Sequence, residues 1–147
     1  MFDDLRRRLA ARRQSRRLAA ITLDAARTRA ERGAAFLDAL DPAWAARVDV
    51  RRLELSDGAA CVLGQLHGDY RLGLGRARVL DLSSAPVASL SPVDLGFQAV
   101  GDCGAPAERL DYALLTRAWR AEVTSRVETP AQTPGVGASA RTRSELL

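Results

Sequence analysis

Phe2, Leu5 and Leu9 recur at spacings of three and four, and Leu18, Ile21 and Ala25 repeat that pattern further along. With Ala, Arg and Leu dominating and no proline before Pro42, residues 2–40 are predicted helical. At about 100° per residue Leu9 and Leu18 point to opposite sides of one helix, so a break near Gln14-Ser15 or a different use of the two halves is expected. Phe36, Leu37 and Leu40 bring the helix into the core. Asp41-Pro42 then reads as an N-cap and first-turn proline opening a short helix through Trp44 to Arg47.

Val48, Val50, Leu53 and Leu55 alternate imperfectly, because Arg51-Arg52 shifts the phase; a short strand and an irregular connection both fit. Ser56-Asp57-Gly58 reads as a turn, followed by an apolar helix over Ala59–Leu66. Arg71–Leu82 carries no clear pattern, and Gly73-Leu74-Gly75 within it reads as a flexible turn. Ser91-Pro92-Val93-Asp94 has the form of a capping box, with Gly96 ending that helix early. Residues 107–126 carry two apolar stripes: Tyr112, Leu115, Trp119 and Val123, and Leu110, Leu114, Ala118 and Ala121. A helix with two such stripes is wedged between neighbours. The fold class is therefore mainly α, with a basic helical arm over residues 1–30 and a core over 31–126. Pro, Thr, Gly, Ser and Ala dominate residues 127–147, which predicts a disordered tail.

Composition adds a skew. The chain has 147 residues and 22 basic groups, all of them Arg, with no Lys or Asn and with Ile21 as its single Ile. Codon bias in a GC-rich bacterial genome produces this pattern. The formal net charge of +4 is unevenly distributed. Residues 1–32 carry +6, residues 33–115 carry −4 and residues 116–147 carry +2. Two cysteines, Cys61 and Cys103, are too few for a disulfide scaffold. Ser15-Arg16-Arg17-Leu18 looks like a twin-arginine signal, but Asp24, Arg27 and Arg29 cut the apolar stretch short, so a cytoplasmic chain without a membrane span is expected.

Four segments resemble a group of small proteins of actinobacteria and their phages: GAAFLDALDPAWAARVDVRRLEL (33–55), CVLGQLHGDY (61–70), LGF (95–97) and DYALLTRAWRAEV (111–123). The resemblance implies kinship, and carries no established chemistry with it. Members of that group often have a second Cys three residues before the position of Cys61. Gly58 stands there, which speaks against a paired-thiol metal or redox role.

Arg6, Arg7, Arg8, Arg12, Arg13, Arg16 and Arg17 fall within twelve residues. Guanidinium groups contact phosphates bidentately and release counterions on binding, so DNA or RNA is the most concrete partner. Phe2 is the single aromatic of the arm, so stacking on single strands is not expected. A solvated helical extension and a helix lying on an anionic membrane through Phe2, Leu5 and Leu9 are the competing readings.

Cys61, Gln65, His67, Asp69 and Tyr70 form the other candidate region. One thiol and one imidazole six residues apart fall short of the three or four ligands zinc needs, so no metal and no cofactor are expected. The apolar neighbours of Cys61 read as a core position. His67-Gly68-Asp69 offers a base beside a carboxylate, without a nucleophile in a recognisable setting. Gly64 and Gly68 have the spacing that lets two backbones approach closely. The expected function is a non-enzymatic binding or accessory protein with a macromolecular partner, nucleic acid being the most concrete one; a small enzyme or thiol factor centred on Cys61 and His67 is the alternative.

Overall fold

The computed structural model describes residues 1–77 and 91–129, which hold five α-helices, one 3-10 helix and no strand. In order they are α1 (Phe2–Ala19), α2 (Leu23–Leu40), the 3-10 helix (Trp44–Arg47), α3 (Val62–His67), α4 (Tyr70–Arg76) and α5 (Ala105–Glu128). Most of the tail expected over 127–147, and part of the segment Arg71–Leu82, lie outside the described residues.

The expected long N-terminal helix divides, but not at Gln14-Ser15. The break falls at Ala20–Thr22. Thr22 is extended (φ −133°, ψ 160°), and its hydroxyl accepts the Ala25 amide at 3.1 Å. A threonine that captures an amide three residues ahead starts a new helix, and apolar periodicity alone does not register this. Leu18, Ile21 and Ala25 consequently share no stripe. Ile21 is buried in the turn, Ala25 is half-buried, and Leu18 remains 45% exposed on α1.

Packing into the core starts at Ala26, ahead of residue 31. The inner face of α2 is Ala26, Ala30, Gly33, Ala34 and Leu37. These small side chains let α2 lie close along α5. Gly33 marks the closest approach: a Cβ there would stand 2.6 Å from the Trp119 ring and 2.0 Å from the Leu95 carbonyl oxygen. Trp119 is the centre of the core. Phe97 stacks on it with centroids 5.3 Å apart, Trp44 meets it edge-on at 5.9 Å, and its indole N–H donates to Gly96 O at 2.6 Å.

On α5 the stripe Leu115, Trp119 and Val123 is buried, Tyr112 is half-buried and Ala118 joins the core. The second expected stripe is incomplete, since Leu110 and Ala121 face outward. Two polar side chains of the same helix, Asp111 and Thr116, are buried instead. Asp111 accepts two hydrogen bonds from the Arg29 guanidinium at 2.9 Å and one from the Val100 amide at 2.8 Å. Arg29 also donates to Val93 O and Gln98 O, so one charge pair fastens α2, the 93–100 segment and α5 together.

Residues 48–55 form turns. Their backbone groups are taken by side chains from elsewhere: Thr116 Oγ1 accepts the Leu55 amide, Arg120 donates to Leu53 O, and Gln65 both accepts from Asp49 N and donates to Asp49 O. The capping box at Ser91–Asp94 forms reciprocally, with Ser91 Oγ accepting the Asp94 amide and the Asp94 carboxylate accepting the Ser91 amide. The helix expected after it does not form: the segment is a single hydrogen-bonded turn that Gly96, at φ +70°, closes through Phe97 N to Pro92 O and Gly96 N to Val93 O.

Candidate functional site

The arm's arginines lie on α1, a helix with no buried residue. At about 100° per residue, Arg6, Arg8, Arg12, Arg13, Arg16 and Arg17 occupy about half of its circumference, with Phe2, Leu5 and Leu9 inside that arc. The other half carries Asp3, Asp4, Ala10, Ala11, Gln14 and Ser15, together with Arg7. Leu9, Arg12, Arg13 and Arg16 share a shallow depression on the cationic side. Arg8 meets Asp4 at 3.1 Å and Arg17 meets Asp102 at 3.6 Å, both on exposed side chains. Among the described residues, Arg6, Arg7, Arg12, Arg13 and Arg16 make no ion pair. The face is therefore a surface of largely uncompensated positive charge.

The second candidate region divides by role. Cys61 caps α3: its Sγ accepts the Gly64 amide at 3.3 Å and faces Gly58 O at 3.7 Å. Burial pushes the thiol up from its ordinary 9.0, so it is protonated at neutral pH and a poor nucleophile. The Gln65 amide holds Asp49 and also donates to Ala60 O at 2.9 Å. Asp69 caps α4 by accepting the Arg71 and Leu72 amides. Tyr70 donates its hydroxyl to Gln98 Oε1, and burial pushes it up to about 12. Gly73-Leu74-Gly75, expected as a turn, lies inside α4, where Asp69 supplies the cap that starts the helix. Gly64 is approached closely by backbone, though by the Gly58-Ala59 turn of its own chain rather than by a second helix. Gly68 ends α3 at φ +92° with open space around it.

His67 differs from these neighbours, because it opens onto a cavity of about 260 Å³. The end of α2, the 3-10 helix, α3 and the end of α4 converge there. Leu37, Trp44 and Leu66 give it apolar walls, while Arg47, His67 and Arg76 bring polar groups to it. Cys61 does not line it, so the structure separates the thiol from the imidazole along α3. Sequence reasoning named His67 and missed the cavity, whose other walls come from residues without a motif. Among the described residues no group of three or more His, Cys, Asp or Glu is placed to hold a metal ion, and no helix is long and apolar enough to cross a membrane.

Burial, followed by the charges of Arg76 and Arg47, pushes His67 below its ordinary 6.5. As pH falls through 6.5 the unfolded chain takes up this proton before the folded one. Stability is therefore expected to decline on acidification between 6.5 and the lower folded value, and to gain nothing from this group above 6.5. His67 is the single His of the chain, so its ring signals in proton NMR give the titration directly. A midpoint at or above 6.5 in the folded protein would contradict the burial and the repulsion. Arg76→Ala is expected to move the midpoint upward.

Compared with protein-family models, curated proteins and solved structures, the chain matches none of them.

Proposed function

We propose that this protein is a non-enzymatic binding or accessory protein of the cytoplasm that engages a nucleic acid through the cationic face of α1. One observation carries the reading: α1 buries no side chain, yet presents six of its seven arginines on one half of its surface. A helix that contributes nothing to the core keeps its arginines available for phosphates, where bidentate guanidinium contacts and counterion release favour association. Contacts of this kind position a helix on a backbone without reading sequence, so weak sequence preference is expected. The apolar stripe within the arc is too short to anchor the helix in a membrane strongly, which favours the nucleic acid. Kinship with the actinobacterial and phage proteins belongs to the same proposal, carried by the four sequence segments.

The test uses the full chain with Arg12→Glu, Arg13→Glu and Arg16→Glu combined. All three are exposed, so far-ultraviolet circular dichroism and unfolding midpoints should change little. Affinity for a random-sequence duplex is expected to drop, and the salt dependence of log K to flatten by about 2–3, as each lost phosphate contact removes about 0.9. Equal affinity and equal slope in the two proteins would overturn the reading. Retention on anionic vesicles, with no binding to duplex or single strand, would replace it with a membrane surface.

A further inference from the structure

The cavity beside His67 has a lining that none of the foregoing uses. Its inner wall is apolar, with Trp44 and Leu37 buried and Leu66 half-buried. Its polar groups are of one dominant sign. Arg47 is already paired with Asp41, which also lines the cavity. Arg76 makes no ion pair among the described residues, and His67 stands close enough to both arginines to feel their repulsion. With His67 neutral, the lining carries one positive charge in excess.

From this geometry we infer a binding site for a small organic monocarboxylate with an apolar body. The apolar part lies against Trp44, Leu37 and Leu66, and the carboxylate meets Arg76 beside His67. Size and charge select this class together. At about 260 Å³ the space lies below the usual range for drug-sized ligands, so it suits one ring or a short branched chain. A single spare positive charge balances a monoanion, whereas a phosphate dianion would remain half uncompensated against an apolar wall. Guanidinium and carboxylate match in a bidentate geometry, which gives the head group its orientation. The site is independent of the α1 face, and either can fail without the other.

The experiment is a titration of the full-length protein with phenylacetate, and separately with its uncharged counterpart phenylacetamide, followed by the His67 ring signals. Phenylacetate is expected to shift them saturably, and phenylacetamide to bind at least about ten-fold more weakly, the difference a charge-assisted hydrogen bond supplies. Arg76→Ala should weaken phenylacetate by a similar factor. Arg71→Ala, an exposed arginine on the same helix that does not line the cavity, should leave affinity unchanged. Leu40→Phe, which adds bulk at the cavity's exposed edge, should reduce binding without disturbing the core. The inference is overturned if phenylacetate leaves His67 unmoved, if acid and amide bind alike, or if Arg71→Ala weakens binding as much as Arg76→Ala.

Discussion

Asp111→Ala is expected to lower folding stability by about 3–5 kcal/mol, the range for removing one partner from a buried ion pair. Asp111 is 1% exposed and the Arg29 side chain 11% exposed, so the guanidinium left behind could not rehydrate without opening the core. The loss goes beyond Coulomb attraction. The Val100 amide would lose its acceptor, and Arg29 would lose the partner that aims it at Val93 O and Gln98 O. The 93–100 segment, which supplies Leu95 and Phe97 to the core, would then keep only its packing and the hydrogen bonds from Trp119 to Gly96 O and from Tyr70 to Gln98. Against a typical total of about 5–15 kcal/mol, such a loss leaves a marginal protein. Denaturant titration followed by tryptophan fluorescence measures it, because both Trp44 and Trp119 are buried. Asp111→Leu combined with Arg29→Met should be less damaging than Asp111→Ala, since replacing a whole buried pair with apolar groups removes its desolvation cost. A cost for Asp111→Ala below about 1 kcal/mol, the range of surface pairs, would show that the site is solvated in practice.

Trp119→Ala is expected to cost a similar amount, about 3–5 kcal/mol, for a different reason. The indole is the shared partner of Phe97 and Trp44 and the surface on which Gly33 lays α2. Its removal leaves a void that rigid helices cannot close, and strips Gly96 O of its donor. Loss of the near-ultraviolet circular dichroism signal should accompany the drop in stability. Leu110→Ala on the same helix is a matched control. That side chain is 52% exposed, and its replacement should change stability by no more than about 0.5 kcal/mol. Similar costs for the two variants would mean that α5 is not the spine of the core.

Asp38 illustrates a second pH effect, further to the acid side than that of His67. The Arg126 guanidinium donates to its carboxylate, and with the Trp44 indole N–H holds it below its ordinary 3.8. That contribution is present above 3.8 and is lost as pH falls through the lower folded value. His67 and Asp38 therefore both weaken the fold in acid, in successive windows.

Much of the fold was legible in the amino-acid sequence, wherever the deciding forces are local. The first apolar stripe of α5, the Ser91–Asp94 capping box and the left-handed turn at Gly96 each depend on neighbours within about one helical turn, and each is present in the structure, although the box opens a turn and not the expected helix. The cationic arm was legible too, as charge on a helix. Thr22 shows the edge of that legibility. Its capping role is local, but the apolar stripes on either side suggested a break several residues earlier, because periodicity does not reveal which stripe will find a partner.

What tertiary structure decided is what distant segments do to one another. Asp111 reads as an ordinary helix-surface acid until Arg29, 82 residues away, arrives beside it. Gly33 reads as a weak point in a helix until Trp119 and Leu95 occupy the place of its missing side chain. Residues 48–55 suit a strand by alternation, and lose it because Thr116, Arg120 and Gln65 take the hydrogen bonds a neighbouring strand would have made. His67 could be named from the sequence, but its role could not, since the cavity beside it exists where four short elements meet. Local preference depends on bonded neighbours and is written in consecutive residues. A buried charge, a close approach or a cavity depends on which faces come together, and only the folded chain brings them together.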